Sequence, residues 1–180
     1  IMMKDEHSKI INSRVFPGTQ GGPLMNSIVA KAIAFKEALD DSFKDYQKQV
    51  LVNSKRLAEI LMKNGFNCIT GGTDTHLVLL DLRGSGFTGK DAEKALSDAG
   101  ITTNKNAIPF DPQPPAIASG VRIGTPGVTT RGMKEQEIDL IGELIIEAIK
   151  NGENQEALIS CKKRVNDLCS KFPIYKDLLI

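Results

Sequence analysis

The chain has 180 residues, with 23 lysines and arginines against 22 aspartates and glutamates, so its formal net charge is +1. A balance so close to neutral excludes the strong basic field with which proteins attract nucleic acid or anionic membranes. Hydrophobic residues make up 41% and charged residues 25%, and no apolar run approaches the length of a membrane span. We therefore predict a globular, cytoplasmic protein that has neither a nucleic-acid nor a membrane partner.

The cysteines and histidines argue against a metal site. Cys68, Cys161 and Cys169 are odd in number and lack metal-ligand spacing, which predicts reduced packing residues. Only two histidines are available, too few to favour a histidine-based site. The first residue is Ile1 rather than methionine, and a patterned segment follows at once, so we expect a truncated product.

The first forty residues are predicted to contain two helical segments around a loop. Residues 4–15 fit a short polar helix or connector, and residues 17–23 form a loop that contains three glycines. Apolar residues then recur at helical spacing from Met25 to Leu39, with Pro23 expected in the first turn. A glycine-rich loop before a helix exposes free amides that suit a phosphate. A loop that merely needs positive φ angles explains the glycines equally well.

From Asn64 onward the order of the predicted elements indicates a small α/β sandwich with its helices on one face of the sheet. The apolar run at 76–82 predicts a strand that is covered on both faces. The residues from Thr125 to Arg131 are predicted to form a turn. The remaining predicted elements are a long helix to Asn64–Gly65, a strand at 66–70, a helix from the capping box of Thr88 and Asp91 to Gly100, a strand at 101–110, a proline-rich loop at 111–115, and two final helices that end near 151 and 172.

A lone arginine interrupts the last predicted strand. In Ser119–Thr125, Val121 and Ile123 alternate with Arg122 and two glycines, which predicts a short strand with the arginine on its wet face. The planar guanidinium matches a carboxylate with two hydrogen bonds, and the glycines would let a ligand approach closely. On the pattern alone, an edge-strand arginine that pairs with a nearby aspartate is the more ordinary interpretation.

Several ordered motifs together resemble one enzyme family, serine hydroxymethyltransferase. The resemblance runs from Lys4 to Tyr175, and the motifs have the family's order and spacing. They are Phe16-Pro-Gly-Thr-Gln-Gly-Gly-Pro-Leu24, Gly71-Gly-Thr-Asp-Thr-His-Leu-Val-Leu-Leu-Asp-Leu82, Thr88-Gly-Lys90, Asn104-Lys-Asn-Ala-Ile-Pro109, Ser119-Gly-Val-Arg-Ile-Gly-Thr-Pro126 and Thr130-Arg-Gly132.

The resemblance implies a pyridoxal-phosphate (PLP) enzyme of the aspartate-aminotransferase-like fold, fold type I. The implied reaction interconverts serine plus tetrahydrofolate with glycine plus methylene-tetrahydrofolate, in an enzyme that is at least a homodimer. Residues 1–40 would be the end of the large PLP-binding domain with its connecting helix, and residues 41–180 the C-terminal small α/β domain. The family's Schiff-base lysine lies in an upstream Thr-Thr-His-Lys stretch that these 180 residues do not contain. We therefore assign no catalytic residue here and expect the isolated chain to be inactive.

By the same resemblance, Arg122 is the arginine that binds the carboxylate of the amino acid, which reverses the interpretation from the pattern alone. Gly21 and Gly22 would offer backbone amides to the cofactor phosphate, in the family from the neighbouring subunit. Asn106 would hydrogen-bond the pteridine ring of folate, and Phe16 would wall the folate site of a partner subunit.

Other family positions carry a weaker implication. Lys105 is expected to be positional, Arg131 to anchor a turn or a partner carboxylate, and His76 to be a satisfied residue in the core. In many members the loop before the arginine strand carries Ser-Pro-Phe at the folate pocket. Here that loop has Pro114, Pro115 and Ala116, so an aromatic face is missing. Thr75 also replaces the asparagine of the family's Gly-Gly-Thr-Asp-Asn-His pattern.

Two alternatives to this assignment remain open. One is a non-catalytic α/β module that binds a carboxylate at Arg122 and a phosphate at Gly21 and Gly22. The other is a different fold-type-I enzyme such as an aminotransferase, whose small domain also uses an arginine clamp. The Asn104–Asn106 segment discriminates best, because an aminotransferase needs no contact with a pteridine.

Overall fold

The computed structural model describes residues 2–175. The chain forms two compact units, Ile1–Lys44 and Asp45–Ile180, and each is described by itself. Within the described residues, no helix combines the length and the apolar character needed to cross a membrane.

The first unit is helical. A short turn at Asp5–His7 leads into α1, Ser8–Ser13, and irregular helical turns at Arg14–Thr19 precede α2, Met25–Ala38. Pro23 lies before α2 rather than in its first turn, so that detail of the prediction was wrong. No residue between 2 and 44 is buried. The apolar side chains of α2 are exposed: Met25, Ile28, Val29, Ile33 and Phe35.

Helix α3, Asp41–Lys63, ends at the predicted Asn64–Gly65 stop. The amide of Ser42 donates to Asp40 Oδ1 at 2.9 Å, and Gly65 adopts a φ of +87° just beyond the helix. The predicted capping box of Thr88 and Asp91 is also formed. The predicted turn after the arginine strand is instead a short helix, α5. The later helices are α4, Gly89–Asp98; α5, Pro126–Thr130; α6, Glu135–Lys150; and α7, Gln155–Lys171.

The four strands of the second unit form one antiparallel sheet in the order β1-β2-β4-β3. All four are shorter than predicted. The first ends at Cys68 because the chain turns through Ile69–Gly71, where Thr70 has a φ of +67°. The strands are β1, Asn67–Cys68; β2, Leu77–Asp81; β3, Asn104–Asn106; and β4, Gly120–Gly124.

The core of the second unit lies against one face of this sheet. Residues that pair directly across strands point to the same face, so Val78, Leu80, Val121 and Ile123 share the buried face. They pack with buried side chains from helices α3, α4, α6 and α7. On the opposite face Leu77 and Leu79 are only partly buried. The prediction of equal cover for β2 was therefore wrong, because an apolar run alone does not reveal which residues face outward.

A buried amide joins α3 to the segment after the arginine strand. The side chain of Asn53 is fully buried. Its Nδ2 donates to Thr129 Oγ1 at 2.8 Å and to the carbonyl of Met133 at 3.0 Å. Because a buried amide must have its hydrogen bonds satisfied, these contacts hold α5 in place at the end of β4.

Candidate functional site

Arg122 lies in the middle of β4, which is flanked by strands on both sides. In the register, it is opposite Leu79 of β2 and Asn104 of β3. Its side chain is exposed and, among residues 2–175, makes no hydrogen bond or ion pair. The more ordinary interpretation of the pattern, in which Arg122 pairs with a nearby aspartate, is therefore not met within residues 2–175. A free guanidinium on an exposed sheet face can bind a carboxylate ligand by donating two hydrogen bonds to it.

The two glycines beside Arg122 have different roles. A Cβ added to Gly120 would lie 2.6 Å from Ile108 Cγ2 and 2.7 Å from the carbonyl oxygen of Leu80. Gly120 thus makes room for the chain itself, and the expectation that it opens space for a ligand was wrong. At Gly124 the nearest atom would be Leu77 Cδ2 at 3.4 Å, an ordinary contact. A side chain is therefore excluded at Gly120, whereas Gly124 has room for one more carbon atom.

Strand β3 presents alternating residues to two environments. Asn104 and Asn106 share the face of Arg122 because they pair with Arg122 and Gly120. The intervening Lys105 contacts Glu93 of α4: its amide donates to Oε1 at 3.0 Å, and its Nζ lies 2.9 Å from Oε2. Lys105 and its hydrogen bonds lower the pKa of Glu93. Lys105 is therefore positional, as expected. Asn104 is exposed, whereas Asn106 is half-buried and its Nδ2 donates to the carbonyl of Ala107 at 2.6 Å.

One carboxylate organises the loop between β3 and β4. Asp111 Oδ1 accepts from Ser119 Oγ at 2.6 Å and from the amide of Gln113 at 2.9 Å. Its Oδ2 accepts from the amides of Ile108 at 3.1 Å and Ser119 at 2.9 Å. Pro114, Pro115 and Ala116, the predicted folate-contacting residues of this loop, are exposed. The loop is thus tied at both ends through Asp111.

The Asp111 network predicts an acid-sensitive contribution to stability. The hydroxyl of Ser119, with the amides that donate to the carboxylate, holds the pKa of Asp111 well below its usual range. A group with a lowered folded-state pKa stabilises the fold above its ordinary pKa of about 4 and loses that contribution as the pH falls further. Replacing Asp111 with asparagine should therefore lower the free energy of unfolding at neutral pH. The difference in this free energy between the parent chain and the variant should become smaller below about pH 4. Urea unfolding followed by circular dichroism between about pH 2 and 7 measures this.

The matched control for this prediction is Asp74→Asn. Asp74 is also an exposed-loop aspartate, but its side chain accepts no hydrogen bond among the described residues. Its substitution should shift stability little at any pH. If the difference in free energy of unfolding between the parent chain and Asp111→Asn were the same across the whole pH range, the proposed dependence on the ionisation of Asp111 would be contradicted.

The predicted cofactor residues lie in the first unit. Gly21 and Gly22 are exposed, and a Cβ on either would meet nothing within 4 Å. Among the described residues, their amides make no hydrogen bond. Two free amides just before the N-terminus of α2 are suitable donors for a phosphate, so these residues fit a part of a cofactor-phosphate site. Phe16, the predicted folate wall, is 66% exposed and equally accessible.

Two other family positions lie away from the Arg122 face. Arg131 lines a mostly apolar cavity of about 420 Å³ that neither Arg122 nor Asn106 borders. Its Nη1 donates to the carbonyl of Phe172 at 2.8 Å, which fits the expected anchoring role. His76 is exposed and precedes β2, so its assignment to the core was wrong. No group of three or more histidines, cysteines, aspartates or glutamates within residues 2–175 could hold a metal ion.

The candidate site consists of the unpaired Arg122, the two asparagines on the same sheet face, and the loop between β3 and β4 that Asp111 fixes. The model of the family described as serine hydroxymethyltransferase matches residues 2–145, which include all of these elements. The chain belongs to this family. Serine hydroxymethyltransferases are fold-type-I PLP enzymes that act on serine or glycine with folate and form oligomers. The antiparallel α/β sheet of the second unit is consistent with that fold class.

Two residues of the site, Asn104 and Asp111, were not identified from the sequence. Asn104 is opposite Arg122, which only the pairing of two strands separated by the proline-rich loop reveals. Asp111 was assigned only to a rigid surface loop, although an aspartate before proline commonly accepts local amide hydrogen bonds. Phe110, the neighbour of Asp111, is 98% exposed. A large aromatic residue beside a predicted turn was the signal that could have drawn attention to it.

Proposed function

We propose that the whole protein, of which these 180 residues form the C-terminal portion, catalyses reversible transfer of a hydroxymethyl group between serine or glycine and tetrahydrofolate. In this proposal residues 1–40 end the large domain and residues 41–180 form the small domain. The protein is cytoplasmic and at least a homodimer.

The observation that carries this proposal is the open state of Arg122. A guanidinium at the centre of a sheet with no partner among residues 2–175 has no internal ion pair to break before it binds a ligand. Bidentate hydrogen bonds to the α-carboxylate of serine or glycine fix both the position and the orientation of the amino acid. Asn104, on the same face, can donate or accept a further hydrogen bond.

The cofactor supplies an electron sink for the substrate carbanion when it is bound. This chain contributes binding groups: the amides of Gly21 and Gly22 donate to the phosphate, and Arg122 neutralises the substrate carboxylate. The residues proposed to contact folate are Asn106, Phe16, Pro114, Pro115 and Ala116. A serine-to-glycine assay on the complete protein tests the activity. Glycine must form in proportion to added tetrahydrofolate, and turnover without folate would contradict the proposal.

The covalent attachment of the cofactor is proposed to lie outside these residues. When the isolated 180-residue chain is mixed with pyridoxal phosphate and treated with borohydride, we expect only weak labelling spread over several lysines. Peptide mapping by mass spectrometry measures it, and the complete protein serves as the positive control. Stoichiometric labelling of one lysine in the isolated chain would overturn this part of the proposal.

A further inference from the structure

Phe110 is an aromatic residue displayed in full to solvent. Among the large hydrophobic side chains described between residues 45 and 175, the next most exposed are Ile159 at 67% and Tyr175 at 62%, against 98% for Phe110. Its backbone is also in the left-handed region, with a φ of +56°. A bulky side chain is disfavoured there, whereas glycine or asparagine adopts this conformation readily. One residue therefore combines an unfavourable backbone with a hydrophobic side chain that packs against nothing.

The contacts of Asp111 hold this conformation. The amide of Asp111 donates to the carbonyl of Ile108 at 3.1 Å, which closes a turn around Phe110. The side chain of Asp111 fastens the same turn to Ile108 and to Ser119 at the start of β4. Ile108 is 5% exposed and Ser119 is also 5% exposed, so both attachment points are buried. The ring is thus presented outward from a rigid base.

The position of Phe110 along the chain relates it to the folate residues. It lies in the segment that starts at Asn106 and includes Pro114, Pro115 and Ala116. That segment lacks the aromatic residue that the Ser-Pro-Phe loop of many family members carries. Flat heteroaromatic rings bind well against an exposed aromatic face, because the stacked contact removes both surfaces from water.

We propose that Phe110 supplies the aromatic face on which the ring system of tetrahydrofolate stacks, and that Asp111 is the positioning residue that holds it. This inference rests on the proposed function, since it assigns a contact within the same folate site. Phe110 contacts the ligand, and Asp111 acts only through the conformation of the loop.

The chain contains no tryptophan, which makes a direct test possible. Phe110→Trp introduces a single tryptophan, which keeps an aromatic face and can be excited selectively beside the two tyrosines. Ile159→Trp, on α7, is the matched control at an exposed position outside the segment. The probe is 5-formyltetrahydrofolate, and the protein is the 180-residue chain. We expect saturable quenching of the emission of the Phe110→Trp variant and no saturable change in the Ile159→Trp variant. Equal quenching in the two variants would overturn the proposal.

Affinities measured by ligand-detected NMR complete the test. Phe110→Leu, which keeps an apolar side chain without a ring, should weaken binding of the probe about five- to tenfold. Asp111→Asn should weaken it as well, and the double variant should bind no more weakly than Phe110→Leu alone, because Asp111 acts through the ring. If the unsubstituted chain binds and Phe110→Leu binds equally, the inference fails while the folate assignment stands. If the unsubstituted chain does not bind the probe at millimolar concentrations, the proposed stacking contact is overturned. The folate assignment of the complete protein is decided separately, by the folate-dependent formation of glycine.

Discussion

Replacing Arg122 with alanine should raise the KM for serine by about two to three orders of magnitude in the complete protein, while leaving its stability almost unchanged. Two charge-assisted hydrogen bonds to a carboxylate contribute about 3–4 kcal/mol together, and each 1.4 kcal/mol corresponds to tenfold in affinity. The free energy of unfolding should change by less than about 0.5 kcal/mol, because the exposed guanidinium has no partner among residues 2–175 to lose. Steady-state kinetics and urea unfolding measure the two quantities.

Two further variants separate charge from geometry and binding from folding. Arg122→Lys keeps the charge but loses the planar pair of donors, so its KM should lie between those of the parent and Arg122→Ala. Arg56 is the matched control, since its guanidinium donates to both carboxylate oxygens of Asp139 at 2.6 and 2.8 Å. Arg56→Ala should lower stability and leave the KM unchanged. An Arg122→Ala enzyme that binds serine normally would refute the carboxylate assignment.

Gly120→Ala should destabilise the second unit strongly. The added Cβ would lie 2.7 Å from the carbonyl oxygen of Leu80 and 2.8 Å from that of Asn106, and 2.6 Å from Ile108 Cγ2. The two carbonyl groups belong to the neighbouring strands and have no freedom to move without breaking the pairing on either side of β4. Overpacking of this kind costs about 3 kcal/mol, so thermal unfolding should begin about 6–12 °C lower.

Gly124→Ala provides the comparison at the other end of the same strand. Its Cβ would meet only Leu77 Cδ2 at 3.4 Å, the end of a flexible side chain. The melting temperature should change by no more than about 2 °C. Thermal unfolding followed by circular dichroism measures the melting temperature of both variants. Similar melting temperatures would contradict the prediction, since they would show that β4 tolerates an added methyl group equally at both ends.

Local signals carried most of what the sequence predicted correctly. The Thr88 and Asp91 box and the glycines that end helices act over a few residues, so their elements could be predicted. The outward position of Arg122 follows from a period of two, which needs no knowledge of the partner strands. The single helical layer was predicted from the order of the elements along the chain.

The remaining features depend on contacts between distant residues. The position of Asn104 opposite Arg122 requires the register of two strands joined by the proline-rich loop. The wrong assignment of His76 to the core arose because β2 begins one residue later, at Leu77. Likewise, the role of Gly120 depends on Ile108, twelve positions earlier, which fills the space beside it. These contacts cannot be predicted from the residues that are adjacent in sequence.

The hydrogen bond from the amide of Lys105 to Glu93 has a consequence for association between molecules. Strand β3 lies at one edge of the sheet. An edge strand normally has outward-facing backbone amides that can pair with another extended chain. Here the amide of Lys105 is already occupied by a carboxylate of the same chain. An incoming strand would have to displace the Glu93 carboxylate before it could pair with this amide. The molecule is therefore protected at this border against uncontrolled growth into fibrils.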